Sequence, residues 1–173
     1  GVQYDLLHRM PPQYRDACIA RMRVVNFAAG QDVIECGTIG TTMLFLDHGC
    51  AVAEIGGRIV NTFMPGDYFG EVSFIATAAS LIEGAIPCGM VRRTATVTAR
   101  ESCRCLELVV KDLFDVYGND LPGLASMLRM MVEAAASRMM PDMGAEQQVA
   151  HTSTAASSLA LPPALGVVAN GGG

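Results

Sequence analysis

A mainly β fold with flanking helices is predicted by two features of the sequence. Eight short runs rich in valine, isoleucine, phenylalanine and threonine follow one another between residues 24 and 109, divided by glycine-containing turns. The three-to-four-residue period of helices is confined to the segments on either side. Short strands at such spacing favour an antiparallel β-roll or jelly-roll barrel over alternating strand and helix units.

The N-terminal helix is expected over residues 11–23, where Pro11 or Pro12 occupies the first turn and Tyr14, Cys18, Ile19 and Met22 recur on one stripe. Strands are expected at 24–27, 32–35, 43–47, 51–55, 59–63, 69–74, 94–99 and 103–109. The turns are Ala29-Gly30-Gln31, 37–40, His48-Gly49, Gly56-Gly57 and Pro65-Gly66-Asp67, of which Gly56-Gly57 is the best hairpin signal. A short helix at 111–117 stops at Gly118, and a longer one at 121–140 presents Leu124, Met127, Leu128, Met131 and Ala135 on one face. Met130, Met139 and Met140 widen that apolar surface, which serves either core or dimer packing or a movable cover for a ligand.

The domain organisation read from this pattern is a linker and helix at 1–23, a β-roll at 24–110 interrupted by an insertion at 75–91, and a C-terminal helical hinge at 111–140. Residues 141–173 lack lysine and arginine and consist mostly of small residues, so a disordered tail is expected there.

Composition limits the function. The chain of 173 residues is 51% apolar, with 12 basic against 17 acidic residues and a net charge of -5. Lys111 is its sole lysine, so it offers no polybasic surface to nucleic acid or anionic lipid. Its apolar runs fall short of the roughly 20 residues that cross a bilayer, and no direct membrane insertion is expected. The six cysteines read as reduced, small apolar side chains of an intracellular protein; Cys103 and Cys105 share a strand face but lack redox or zinc spacing. His8, His48 and His151 form no ligand cluster, and no catalytic residue, metal site or cofactor is predicted.

The segment with the clearest chemistry is Gly66-Asp67-Tyr68-Phe69-Gly70-Glu71, joined by Arg92-Arg93-Thr94-Ala95-Thr96-Val97 after an apolar interruption. Gly70 lets backbone N–H groups approach an oxyanion, and Glu71 can accept hydrogen bonds from sugar hydroxyls. Arg93 supplies a planar fork of donors suited to phosphate, and Thr94 a hydroxyl. Together they suit a small ligand carrying both a sugar and a phosphate. Strand alternation puts Arg93 and Thr94 on opposite faces, so both reach one ligand only at a strand entrance where the backbone bends. The competing reading is that Glu71 and Arg93 pair with each other or stay solvated.

These segments resemble a known family when taken with 32–40, 43–49 and 103–106, which occur in the same order. The resemblance is to the cyclic nucleotide-binding domain, especially the cytoplasmic form attached to voltage-gated or cyclic nucleotide-gated cation channels, and it covers residues 11–140. It implies that Gly30, Gly37, Gly49 and Gly66 are turn glycines and that Phe69, Gly70, Glu71, Val72 and Ser73 form the phosphate cassette. Glu71 would take the ribose 2′-hydroxyl, Arg93 the cyclic phosphate, and Thr94 a further ligand contact associated with cyclic GMP.

The helix at 121–140 would be the lid, with Met131, Ala135 and Arg138 as its candidate contacts. Ala135 lies where a gated-channel relative places a purine-contacting basic residue, and Arg129 and Arg138 are the candidate substitutes. Residues 75–91 lengthen the cassette relative to the family pattern. The function implied is non-catalytic: cAMP or cGMP occupancy is coupled to the gating of a cation channel, taken as potassium-conducting. The implied partners are an upstream channel linker and transmembrane domain, with homotetrameric assembly. A ligand-independent channel interaction domain and a module of a cyclic nucleotide-dependent kinase are the alternatives.

Overall fold

The computed structural model of the protein describes residues 2–82 and 89–139, and within it local sequence signals set most of the elements. Helices α1 (Asp5–His8) and α2 (Pro12–Arg21) precede the strands β1 (Arg23–Phe27), β2 (Asp32–Ile34), β3 (Thr42–His48), β4 (Ala51–Ile55), β5 (Arg58–Phe63) and β6 (Tyr68–Phe69). Helix α3 (Glu71–Ser80) separates these from β7 (Thr96–Ala99) and β8 (Cys103–Val109). Helices α4 (Val110–Tyr117) and α5 (Leu121–Met139) follow. The fold is thus a β-roll with flanking helices, as the sequence pattern predicts.

The roll consists of two four-stranded antiparallel sheets, in the orders β1-β8-β3-β6 and β2-β7-β4-β5, rather than one closed hydrogen-bonded barrel among the described residues. Gly56 and Gly57, both at positive φ, make the tight turn that brings Ile55 opposite Arg58 at the start of the β4–β5 pairing.

Strand β3 is buried on both faces, and its alternation divides the interior. Leu44 and Leu46 enter a core between the sheets with Ile34, Ala51, Ala53, Phe63, Phe69, Val97, Cys103 and Cys105. Met43 and Phe45 enter a second core with Phe74, Ile75, Leu108, Leu113, Leu124, Met127, Leu128 and Met131, where the helices cover the β1-β8-β3-β6 sheet. Each such large apolar side chain contributes about 1.5–3 kcal/mol on burial. Cys103 and Cys105 do share the inward face, and Cys18, Cys36, Cys50, Cys103 and Cys105 are free thiols.

The main departure from expectation is at residues 69–74. The strand ends at Phe69, because Gly70 takes a left-handed conformation (φ 79°) and Glu71 begins α3. Phe74, Ile75, Ala78 and Ala79 are buried in the helix-side core, with Ile82 packed against it, so the apolar stripe follows a helical period. Residues 75–80 of the expected insertion therefore continue the cassette as helix, while 83–88 lie outside the described residues.

Asp120 joins the terminal helices to the N-terminal one. Its carboxylate accepts a hydrogen bond from the Tyr14 hydroxyl and another from the Gly123 N–H at 3.0 Å, which caps the first turn of α5. Tyr14 also stacks on Tyr117, with ring centroids 4.1 Å apart. On α5 the buried face is Leu124, Met127, Leu128, Met131 and Ala134; Ala135, expected in that stripe, is only partly buried. The compact unit that contains both sheets extends to Ala135. The expected tail at 141–173 falls outside the described residues. No helix among the described residues is long and apolar enough to cross a membrane.

Candidate functional site

Arg93 is the centre of the site. The stretch before it is held by the 37–40 turn: Arg93 N–H donates to Thr38 O (2.7 Å), Gly37 N–H to Arg93 O (2.8 Å), and Gly40 N–H to Val91 O (2.8 Å). In this extended stretch side chains alternate, so Arg92 is exposed and donates to Gly37 O (2.8 Å) while Arg93 turns inward and is only 7% exposed. The competing reading of a solvated Arg93 is therefore not met, and Thr94 lies exposed on the other side, just ahead of β7.

Inside, the Arg93 guanidinium meets the first turn of α3. Its Nη1 donates to Gly70 O (2.6 Å) and Ser73 Oγ (3.1 Å). Its Nη2 donates to the carbonyl oxygen of Thr42 and to Thr42 Oγ1 (3.1 Å). Gly70 O also accepts the Phe74 N–H at 3.3 Å. A side chain at Gly70 has no room: an added Cβ would lie 2.8 Å from Arg93 Nη1 and 2.9 Å from Ile34 Cδ1.

Burial pulls the Arg93 pKa down, and the charge of Glu71 pushes it back up. The guanidinium nonetheless stays protonated at neutral pH. A buried cation thus lies beside the positive end of a ten-residue helix whose first N–H groups have no partner within the helix, with the Glu71 carboxylate in its first turn. The guanidinium and the helix end each favour an anion, and hydrogen bonds from Arg93 to Gly70 O and Ser73 Oγ tie the two together.

Of the residues singled out in the sequence, the structure brings Gly70, Ser73 and Arg93 into direct contact. Glu71 is partly buried at the start of α3, and Val72 beside it is 50% exposed. Phe69 belongs to the core between the sheets, stacked on Phe63 with centroids 4.7 Å apart. On α5, Met131 is 1% exposed within the helix-side core, Ala135 is partly buried, and Arg138 is exposed in the last turn. Thr42 and Gly40 were missed: nothing in Gly40-Thr41-Thr42 marks a residue that meets an arginine 51 positions away.

The sequence profile of the cyclic nucleotide-binding domain matches residues 24–120, more than half of the chain. The chain belongs to this family. It is a cyclic nucleotide-binding regulatory domain by descent.

A cGMP-dependent protein kinase from Toxoplasma gondii is 32% identical over 96 residues, which is 56% of this chain and 8% of the kinase. The potassium/sodium hyperpolarization-activated cyclic nucleotide-gated channel 4 of Oryctolagus cuniculus is 29% identical over 105 residues, 61% of this chain and 8% of the channel. This chain therefore corresponds to a small fraction of the length of either relative. The N-terminal domain of a transcriptional regulator from Streptomyces coelicolor has the same fold, with a TM-score of 0.58 at 21% identity over 83% of this chain and 96% of that one.

Proposed function

We propose that the domain binds a cyclic nucleotide, cAMP or cGMP, at the N-terminus of α3 and passes its occupancy to the gating of a potassium-conducting cation channel. The observation that carries the first part is the buried Arg93 guanidinium against the opening turn of α3. The cyclic phosphate would take charge-assisted hydrogen bonds from Arg93 and N–H groups of the first turn. Glu71, one residue after Gly70, would accept the ribose 2′-hydroxyl, and the exposed Thr94 hydroxyl would meet the ligand from the opposite side. The role is non-catalytic. Helix α5, as the lid, would respond to occupancy, and ligand shifts the population only if it binds one lid arrangement more tightly than the other.

The channel assignment is supported by the channel relative, and the kinase relative supports the competing assignment. Six membrane spans in sequence preceding this domain would support a channel, whereas a second adjacent nucleotide module or an inhibitor sequence would support a kinase.

One observation favours a ligand-independent interaction domain instead. The Arg93 guanidinium already has acceptors from the protein itself. Calorimetric titration with cAMP and cGMP decides between them: saturable binding is expected, and none up to millimolar ligand refutes the sensor reading.

Glu71→Ala tests the sugar contact. The native protein should prefer a ribose ligand over its 2′-deoxy analogue by about 1.5–3 kcal/mol, the worth of a hydrogen bond to a charged acceptor. In the variant that preference should vanish, and an unchanged preference removes Glu71 from the ribose site.

A further inference from the structure

The two Nη nitrogens of Arg93 carry four hydrogens, and four protein acceptors lie within hydrogen-bond distance of them. Two acceptors, Gly70 O and Ser73 Oγ, belong to the cassette. The other two both come from Thr42, at the start of β3, and both hold Nη2. A phosphate that engages this fork must therefore replace bonds that already exist. Gly70 O and Thr42 O are main-chain atoms fixed by the fold, and Ser73 is on the helix that would itself hold the anion. Among the described residues, the Thr42 hydroxyl is the side-chain acceptor that holds the fork from outside the cassette.

We propose that Thr42 is a positioning residue that parks the Arg93 guanidinium on the β3 side and so sets the affinity of the site for phosphate. The proposal rests on the cyclic nucleotide reading of the site. Without the hydroxyl, one Nη2 hydrogen is left in a buried position without that partner, and a phosphate oxygen replaces nothing when it arrives. Neither Thr42 nor its hydroxyl need touch the nucleotide for this to operate.

The test is a titration of cAMP and cGMP into the native protein, Thr42→Val and Thr42→Ser. Nitrogen NMR of the Arg93 side chain in the ligand-free state accompanies it, with signals assigned by their loss in Arg93→Lys. The Nη hydrogens should exchange slowly in the native protein and in Thr42→Ser, which keeps the hydroxyl, and faster in Thr42→Val.

Thr42→Val should bind nucleotide about fivefold more tightly, the equilibrium equivalent of one hydrogen bond, and Thr42→Ser should match the native protein. Thr42→Ala, which also lacks the hydroxyl, should reproduce the tightening if the valine side chain disturbs the strand. Equal or weaker binding in both hydroxyl-free variants overturns the proposal. So do rapidly exchanging Nη hydrogens in the native protein, whatever the titration gives. Slow exchange together with no nucleotide binding in any of these proteins refutes the nucleotide reading while leaving the parked guanidinium established.

Discussion

Arg93→Ala should abolish measurable cyclic nucleotide binding and also lower the stability of the fold. On the proposed reading, the binding loss follows from removing a desolvated, charge-assisted contact to the phosphate, worth about 2–5 kcal/mol. Stability falls for a separate reason. The substitution withdraws the donor that Gly70 O, Thr42 O and two hydroxyls share, in a place where the side chain is 7% exposed.

Carbonyls and hydroxyls that lose a buried partner carry a desolvation cost, here about 2–3 kcal/mol after water has entered the vacated volume. Calorimetric titration and thermal unfolding measure the two effects independently. Arg93→Lys separates charge from shape, because an ammonium keeps the charge but cannot span Gly70 and Thr42 with a planar fork. It should keep part of the affinity and little of the lost stability. Binding by Arg93→Ala equal to that of the native protein excludes this arginine from the phosphate site.

Gly40→Ala should be among the most damaging single-methyl additions in the domain. Gly40 is needed for close approach, since its φ is not in the left-handed region. A Cβ there would lie 2.4 Å from Ser73 Cβ and 2.8 Å from the Ser73 carbonyl carbon. The second contact is with main chain, so no change of rotamer relieves it. Gly40 cannot easily retreat either, because its N–H is bound to Val91 O in the stretch that orients Arg93.

The first turn of α3 must therefore move, at a cost of about 3 kcal/mol, and the melting temperature should fall by about 10 °C. Nucleotide affinity should fall with it, because the displaced turn carries Gly70 and Ser73. A melting temperature within a degree or two of the native value would show that α3 is not pressed against Gly40.

Much of this architecture is legible in the sequence because short apolar runs bounded by glycine turns advertise strands. Ala51–Ile55 and Cys103–Val109 coincide with the runs read from composition, and Gly56-Gly57 marks its own hairpin. The stretch after Phe69 misleads because Val72, Phe74 and Ala76 alternate as a strand would, while the deciding residue is Gly70, whose left-handed backbone ends the ladder. The spacing of Phe74, Ile75, Ala78, Ala79 and Ile82 was the available signal for helix.

The Arg93 and Thr94 pair is legible in part. Alternation separates them as expected, but β7 starts only at Thr96, because the preceding residues are tied to the 37–40 turn. Thr42 is not legible at all. Its part depends on main-chain and hydroxyl oxygens brought near Arg93 by the tertiary fold, and a one-dimensional pattern contains no trace of that meeting.

Gly70 O serves two masters: the Phe74 N–H that closes the first turn of α3 and the Nη1 of Arg93. A phosphate that drew the guanidinium off this oxygen would leave it the Phe74 N–H as its bond within the helix, while the arriving anion would bond the N–H groups of the same turn. On the cyclic nucleotide reading, ligand capture and rearrangement of the cassette would then be a single step, with one carbonyl group as the hinge between them.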